Sequence, residues 1–229
     1  MDEHFTPADG LDVWTYARRG EIGPAHHLIR YEWLRRVLAD GPALDSILDA
    51  GCGAGYGTYL IAKAFPNTAV LGVDYDEDGV NDSRTRYQLP NLSYALGDLT
   101  GWEATIGTGT HDAIVSFDSI EHVKHRDLVM ESFVRRLRSG GALFLSTPCG
   151  APENNLEPEW AAHQIEFSSA SFFDLVSRYF AGVIRPEDEA FPHREAFEEL
   201  KAAGVDYLLA CNPLICREPI RIPNPYRAS

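Results

Sequence analysis

Positive charge is in short supply in this chain. Its 229 residues carry 20 Lys and Arg against 34 Asp and Glu, a formal net charge of −14. No run of basic residues offsets that balance, which opposes both the phosphate backbone of nucleic acids and anionic membrane surfaces. Long apolar runs are missing too. None approaches the roughly 20 residues that a membrane-crossing helix needs. The opening stretch MDEHFTPADG is acidic and polar, unlike a secretion signal. Cysteine is sparse: Cys52, Cys149, Cys211 and Cys216 form no C-x-x-C pair. That spacing excludes the usual zinc frameworks and predicts buried free thiols in a reducing compartment. These absences describe a cytoplasmic chain whose partner is a small molecule, with no nucleic acid and no membrane. A homodimer is left open.

What is present is ordinary for a folded domain. A hydrophobic fraction of 45% over this length suffices for one well-buried core. Near the N-terminus, PAHHLIRYEWLRRVLAD places Leu28, Tyr31, Leu34, Val37 and Leu38 at helical spacing, with Pro24 in the first turn. From Ile47 the rhythm changes to short apolar runs alternating with helical stretches. SILDA, AVLGVD, LSYAL, DAIVSF and ALFLST read as strands; YGTYLIAKAF, DGVNDSRTRY and LVMESFVRRLR read as helices. Four-to-six-residue apolar strands separated by helices predict a parallel sheet covered on both faces, an α/β doubly wound fold. After Pro148, CGAPENNLEPEWAAHQIEFS reads as a long acidic loop. The helix SASFFDLVSRYF follows, capped by Ser168 or Ser169, then a strand near GVIRP, the helix REAFEELKAAG and a last strand VDYLLACN.

The stretch ILDAGCGAGYG joins the first strand to its helix. A glycine-rich turn at that place lets a ligand approach the backbone and presents free N–H groups at a helix N-terminus. Counted as a dinucleotide fingerprint from Gly51, its sixth position is Tyr56, not glycine. No Gly-Lys-Ser/Thr follows, which excludes a P-loop. The run is better written D-x-G-x-G-x-G, led by Asp49. A carboxylate there would repel a pyrophosphate and attract an ammonium or sulfonium. Asp74, closing the second strand, suits ribose hydroxyls, and Asp98, after the third, suits an exocyclic amine. A cationic adenosine bearing an amino acid fits three such acids better than a dinucleotide does.

In order and spacing, ILDAGCGAGYG, VLGVDYD, GDL, DAIVSFDSIEHV and LRSGGALFLSTP resemble the motifs of class I S-adenosylmethionine-dependent methyltransferases over Asp45 to Pro148. The resemblance is to small-molecule types, such as those of quinone biosynthesis and of sugar and natural-product modification. It implies a Rossmann-like sheet of seven strands with the last antiparallel. It also implies S-adenosyl-L-methionine as cofactor and S-adenosyl-L-homocysteine as product. Gly51, Gly53 and Gly55 would pass the methionine part, Asp74 would hold the ribose, and Gly97, Asp98 and Leu99 would flank the adenine. Asp49, Cys52, Tyr75, Phe117 and Asp118 complete the expected contacts, and Arg30 would pair with the methionine carboxylate. The expected organisation is one domain over residues 1–229. A helical lid runs to residue 40, the cofactor core covers 45–148, an acceptor loop 149–167, and the C-terminal portion of the sheet 168–229.

The reaction partner is less legible. Asp118, Glu121 and His122 have i, i+3, i+4 spacing after the fourth strand. A hydroxyl acceptor needs a base, whereas a neutral amine does not. His122 and His163 are the candidate bases, and no metal is required on this reading. An alternative groups Asp118, Glu121, His122 and His163, which resemble the two-carboxylate, two-histidine metal site of small-RNA 2′-O-methyltransferases, with a divalent ion assisting O-methylation. A third reading is a cofactor-binding sensor or interaction domain without turnover. Trp14, Tyr16 and Trp160 are expected near the acceptor, while His26 and His27 are read as surface residues.

Overall fold

The computed structural model describes residues 22–158, 161–202 and 213–220. Helix α1 (Ile22–Ala39) precedes the sheet. Then follow β1 (Ser46–Ala50), α2 (Tyr56–Ala64), β2 (Ala69–Asp74), α3 (Glu77–Arg86), β3 (Leu92–Leu96), α4 (Glu103–Ile106) and β4 (His111–Phe117). A single 3-10 turn, Ile120–His122, leads into α5 (Arg126–Arg136) and β5 (Leu137–Ser146). The C-terminal portion comprises β6 (Cys149–Ala151), β7 (Phe167–Ser168), α6 (Ser169–Ser177), β8 (Phe180–Ile184), α7 (Glu195–Ala202) and β9 (Leu214–Pro219).

The main sheet has seven strands in the order β3-β2-β1-β4-β5-β9-β8. Neighbours from β3 to β5 pair in parallel, and β9 runs antiparallel to both β5 and β8. This is the predicted Rossmann-like sheet with its last strand reversed. The reversal point lies beside β1 and β4, whose carboxyl ends open a crevice where open α/β sheets bind ligands.

Alternation along each strand sends side chains to opposite faces. In β1, Leu48 and Ala50 join a core shared with α5 and α6, while Ile47 joins the core under α1, α2 and α7. Asp49, between Leu48 and Ala50, therefore points toward α1 and α2. Helix α1 is buried more broadly than one stripe, with Ile29, Tyr31, Trp33, Leu34 and Leu38 all in that second core. Trp33 is fully buried, stacks on Phe191 with ring centroids 5.2 Å apart, and donates from Nε1 to the Pro192 carbonyl at 2.9 Å. Helix α3 is polar, yet well specified locally. Its Asp76 cap accepts from the Asp78 and Gly79 amides, acids fill its first turn, and Arg84 and Arg86 its last. Ser168, of the two candidates, is the cap of α6, accepting from the Ser171 amide at 3.1 Å.

Three expectations need correction. The stretch after Pro148 is not purely loop, since β6 and β7 pair in parallel within it. The antiparallel strand beside β5 is Leu214–Pro219, a stretch not read as a strand from sequence, while VDYLLACN, residues 205–212, lies outside the described residues. Only Leu214, Ile215 and Cys216 of that strand are buried apolar positions, and Arg217, Glu218 and Pro219 hide its pattern. Cys52 and Cys216 are buried free thiols as expected, but Cys149 is disulfide-bonded.

Gly57, in the first turn of α2, supplies a test of how α1 seats. A Cβ there would lie 2.1 Å from Cζ of the Tyr31 ring. Helix propensity favours alanine over glycine by about 1 kcal/mol, so an isolated helix would gain. In the folded chain the ring has nowhere to go, and overpacking costs about 1–3 kcal/mol. Gly57→Ala is expected to lower stability in denaturant unfolding, and an increase would show that α1 does not press on α2.

Candidate functional site

The crevice at the carboxyl ends of β1, β2 and β4 is a cavity of about 600 Å³, within the range of small-molecule sites. Its floor is the turn between β1 and α2. Gly51, Gly53 and Gly55 all have positive φ, at 80°, 51° and 73°, a region L-residues rarely adopt. A second reason for glycine comes from the protein itself. A Cβ on Gly51 would fall 2.2 Å from the Ser119 hydroxyl, and one on Gly55 would fall 2.4 Å from that of Ser83. The turn is held by Asp74, which is 5% exposed. Its Oδ2 accepts from the Gly53 amide at 2.7 Å and its Oδ1 from the Asp76 amide at 3.0 Å. Each carboxylate oxygen keeps acceptor capacity beyond these bonds, and Asp74 lines the cavity. Asp98 lines it as well, oriented by the Thr100 amide and hydroxyl on its Oδ1 at 2.8 and 2.7 Å.

Of the residues expected to touch the cofactor, Gly51, Cys52, Gly53, Asp74, Tyr75, Asp98, Leu99, Phe117 and Asp118 line this cavity. Gly55 and Gly97 instead sit behind it, against Ser83 and Tyr94 and against Val73 and Thr105. Asp49 is also outside the lining, for the reason the strand alternation supplies. It is 2% exposed and accepts from Tyr31 Oη at 3.1 Å and from Thr58 Oγ1 at 2.7 Å. Burial raises its pKa from 3.8 to about 7, against the lowering effect of those two bonds, with nearby Asp74 adding to the rise. Arg30 is not on the lining either. It is buried at 3% exposure, and its Nη1 donates to Asp118 Oδ2 at 2.8 Å.

Asp118 holds an unusual backbone conformation, with φ at 50°. Aspartate tolerates that region better than most residues, and three partners fix it here. Beside Arg30, Ser146 Oγ donates to Oδ1 at 2.9 Å, and His27 Nδ1 lies 3.5 Å from Oδ2. His27, about one-third exposed at its side chain, also borders the cavity, which the surface reading did not include. Its i, i+3 relation to Arg30 was the available signal. Tyr56 was also overlooked as a wall, although it occupies the sixth position of the glycine motif.

The turn after Asp118 carries the candidate chemistry. His122 lines the cavity, and its Nδ1 is 3.2 Å from the Ala162 carbonyl. A carbonyl only accepts, so Nδ1 carries hydrogen and the neutral ring has its lone pair on Nε2. His163 is buried behind it at 8% exposure, the two rings edge to face with centroids 4.9 Å apart. His163 Nδ1 lies 3.4 Å from Glu166 Oε1. Glu121 is 1% exposed; its Oε2 accepts from Thr147 Oγ1 at 2.8 Å, and its Oε1 is 3.9 Å from His122 Nε2. Burial, with Asp118 close by, pushes its carboxyl well above the carboxylate range. The Gln164 amide donates to the Glu121 carbonyl at 2.7 Å, so the loop is clasped to the turn. The structure thus brings Glu121, His122 and His163 together, with Asp118 turned toward Arg30. Trp14, Tyr16 and Trp160 lie outside the described residues.

Residues 47–141 match the methyltransferase domain family. A protein of Mycolicibacterium smegmatis named "probable S-adenosylmethionine-dependent methyltransferase" is 37% identical over 119 residues, covering 52% of this chain and 44% of that one. The matched core, residues 47–141, is thus similar to the methyltransferase domains of S-adenosylmethionine-dependent enzymes. The chain is also 33% identical over 140 residues to the trans-aconitate 2-methyltransferase of Rhizobium meliloti, covering 59% of this chain and 52% of that one. The chain spans about half the length of these curated relatives. The fold is shared with the O-methyltransferase of a Brevibacillus brevis polyketide multienzyme, solved with S-adenosyl-L-homocysteine. There the TM-score is 0.62 at 11% identity, over 95% of this chain and 85% of that one.

The buried Asp49 carboxyl has a pH consequence. Its pKa is higher folded than unfolded, so the folded state holds the proton more tightly. Its contribution favours the folded state at low pH and is lost as pH rises from 3.8 to about 7. Asp49→Asn, which still accepts from Tyr31 and Thr58, is expected to remove that component. Unfolding free energy followed from pH 4 to pH 7 should then fall less steeply than in the unaltered chain; parallel curves would refute the assignment.

Proposed function

We propose that this chain transfers a methyl group from S-adenosyl-L-methionine to a hydroxyl or amine of a small molecule such as a sugar, a nucleoside or a secondary metabolite. The observation that carries this reading is that one cavity is bordered both by the Gly51–Gly53 turn with Asp74 and Asp98 and by His122. When bound, the cofactor supplies a methyl already activated by a sulfonium, so orientation and exclusion of water are the protein's main contributions. On this reading Asp74 accepts from ribose hydroxyls, and Asp98 with Leu99 borders the adenine. Gly51 and Gly53 leave room for the methionine part. Arg30 and Asp49 act from behind the wall, Arg30 by setting Asp118 and Asp49 by seating Tyr31. For a hydroxyl acceptor, His122 takes the proton at Nε2, and His163 positions its ring. The name of the Rhizobium meliloti relative, trans-aconitate 2-methyltransferase, accords with a small acceptor.

Two measurements test this. Asp74→Asn is expected to weaken binding of S-adenosyl-L-homocysteine by about 1–3 kcal/mol, the range for losing charged hydrogen bonds, read by calorimetry. Unchanged affinity would remove Asp74 from the site. His122→Ala is expected to lower turnover of a hydroxyl acceptor by about 10²-fold or more, with S-adenosyl-L-homocysteine affinity unaltered. Full turnover in that variant would rule out base catalysis by His122.

A second reading adds a divalent cation, supported by one specific arrangement. Donor atoms of Glu121, His122 and His163 lie within 4.8 Å of one another, and Glu121 Oε1 is buried without a hydrogen-bond partner. Two imidazoles and a carboxylate suit zinc, iron or manganese. Those three residues would hold the ion, which would supply Lewis acidity toward an acceptor oxygen. Asp118, the fourth residue of the grouping drawn from sequence, is not among the converging donors. On this reading exhaustive EDTA treatment abolishes turnover, added Mn²⁺ or Zn²⁺ restores it, and Glu121→Gln lowers the bound metal measured by mass spectrometry. Full activity after chelation excludes it.

A further inference from the structure

Beside the cofactor cavity lies a second one, of about 260 Å³, with a different character. Three cations border it, Lys124, Arg126 and Arg178, together with the neutral Asn154 and Ser171. In a chain of net charge −14 this concentration is unexpected. Elsewhere among the described residues, five surface arginines meet carboxylates, Arg35 with Glu32, Arg86 with Asp82, Arg135 with Glu103, Arg138 with Asp112 and Arg185 with Asp188, while Arg84, Arg194 and Arg217, which do not, stand apart from one another in the chain and border neither cavity. Lys124, Arg126 and Arg178 have no carboxylate within ion-pair distance among the described residues. The one acid on the wall, Asp127, accepts from the Tyr179 hydroxyl at 2.9 Å. Arg126 is aimed by two contacts. Its Nη1 donates to the Val123 carbonyl at 2.7 Å, and its guanidinium lies 5.8 Å from the centre of the Phe167 ring. Those contacts use few of its five N–H donors.

The two cavities share Lys124 and the same two chain segments. His122 and Val123 border the first, Arg126 and Asp127 the second, so the segment turns from one to the other at Lys124. Likewise Gln164 borders the first cavity and Ile165 the second. The basic cavity thus adjoins the end of the cofactor cavity that carries His122. Like-charged groups gathered without counter-ions repel, and an oxyanion relieves that repulsion while accepting from the guanidinium groups.

We propose that this second cavity is an anion subsite for the acceptor: the molecule methylated beside His122 also bears a carboxylate or phosphate that docks between Lys124, Arg126 and Arg178. The inference rests on the methyltransferase reading for its link to turnover, although the subsite itself does not. Binding energy at a remote charged group then orients the acceptor atom at the reacting end.

The test uses the full chain saturated with S-adenosyl-L-homocysteine, titrated in a calorimeter with inorganic phosphate and, separately, with succinate at constant ionic strength. At least one of the two is expected to bind saturably. The double variant Lys124→Gln, Arg178→Gln should lose about tenfold or more of that affinity. Both side chains are exposed, so thermal unfolding should be unaltered, and Arg178→Glu alone should weaken binding in the same direction. The preferred anion identifies the acceptor's charged group. No saturable binding of either anion, or equal binding by the variants, overturns the proposal. The initial titration with S-adenosyl-L-homocysteine keeps the two readings separate, because its failure would count against the cofactor site and leave the anion measurements standing.

Discussion

A buried ion pair between Arg30 and Asp118 connects the regions of this molecule that chemistry requires to be together. Burying either charge alone would cost several kcal/mol, and the pair is tolerable only because geometry and further bonds compensate. Arg30 comes from α1, Asp118 from the end of β4, and Ser146, which also donates to Asp118, from the end of β5. One carboxylate thus ties the N-terminal helix to two adjacent strands at the sheet's carboxyl edge. It also holds the positive φ that turns the chain into Ile120–His122. The directions of Glu121 and His122 follow from that turn.

A second carboxyl group has a comparable role in the layer beneath α1 and α2. Asp49 sits there because β1 alternates, and it accepts from one hydroxyl on each helix. Helix α1 is thereby bonded to the sheet through two acidic side chains, and held a third time by the packing of Trp33 on Phe191. The larger cavity depends on this seating, since Tyr31 walls it while its hydroxyl reaches Asp49. The glycines of the turn answer to the same crowding. Gly51 makes room for Ser119, Gly55 for Ser83 and Gly57 for the Tyr31 ring. The glycine-rich turn is as much a packing device between elements as it is a cradle for a ligand.

Much of the fold was legible because its signals are local. β1, β2 and β3 coincide with the apolar runs SILDA, AVLGVD and LSYAL, and α3 carries its own cap and dipole-matched charges. The cavity-lining acids Asp74 and Asp98 were legible too, because the carboxyl ends of strands in a parallel sheet border one crevice. Position on the far wall was harder to see. Asp49 looked like a ligand contact from its place in the motif, yet alternation turns it away from the cavity. His27 looked like a surface residue and Arg30 like a partner of the cofactor's carboxylate. Both meet a protein carboxylate, Asp118, about ninety positions later. The final strand was obscured by Arg217, Glu218 and Pro219, which are acceptable only where the strand leaves the core.

The amino-acid sequence by itself determined the class of fold, the family resemblance and the acids that line the cavity, because each is written in short motifs with fixed places on a parallel sheet. Tertiary structure alone decided which histidine meets the cavity, which stands behind it, and that Glu121 joins them while Asp118 does not. It also decided that Lys124 and Arg126 of one segment and Arg178 of another surround one small hollow. The physical reason is the same in each case: such groupings arise where loops from different strands meet at one edge, and no periodicity within a single segment encodes that meeting.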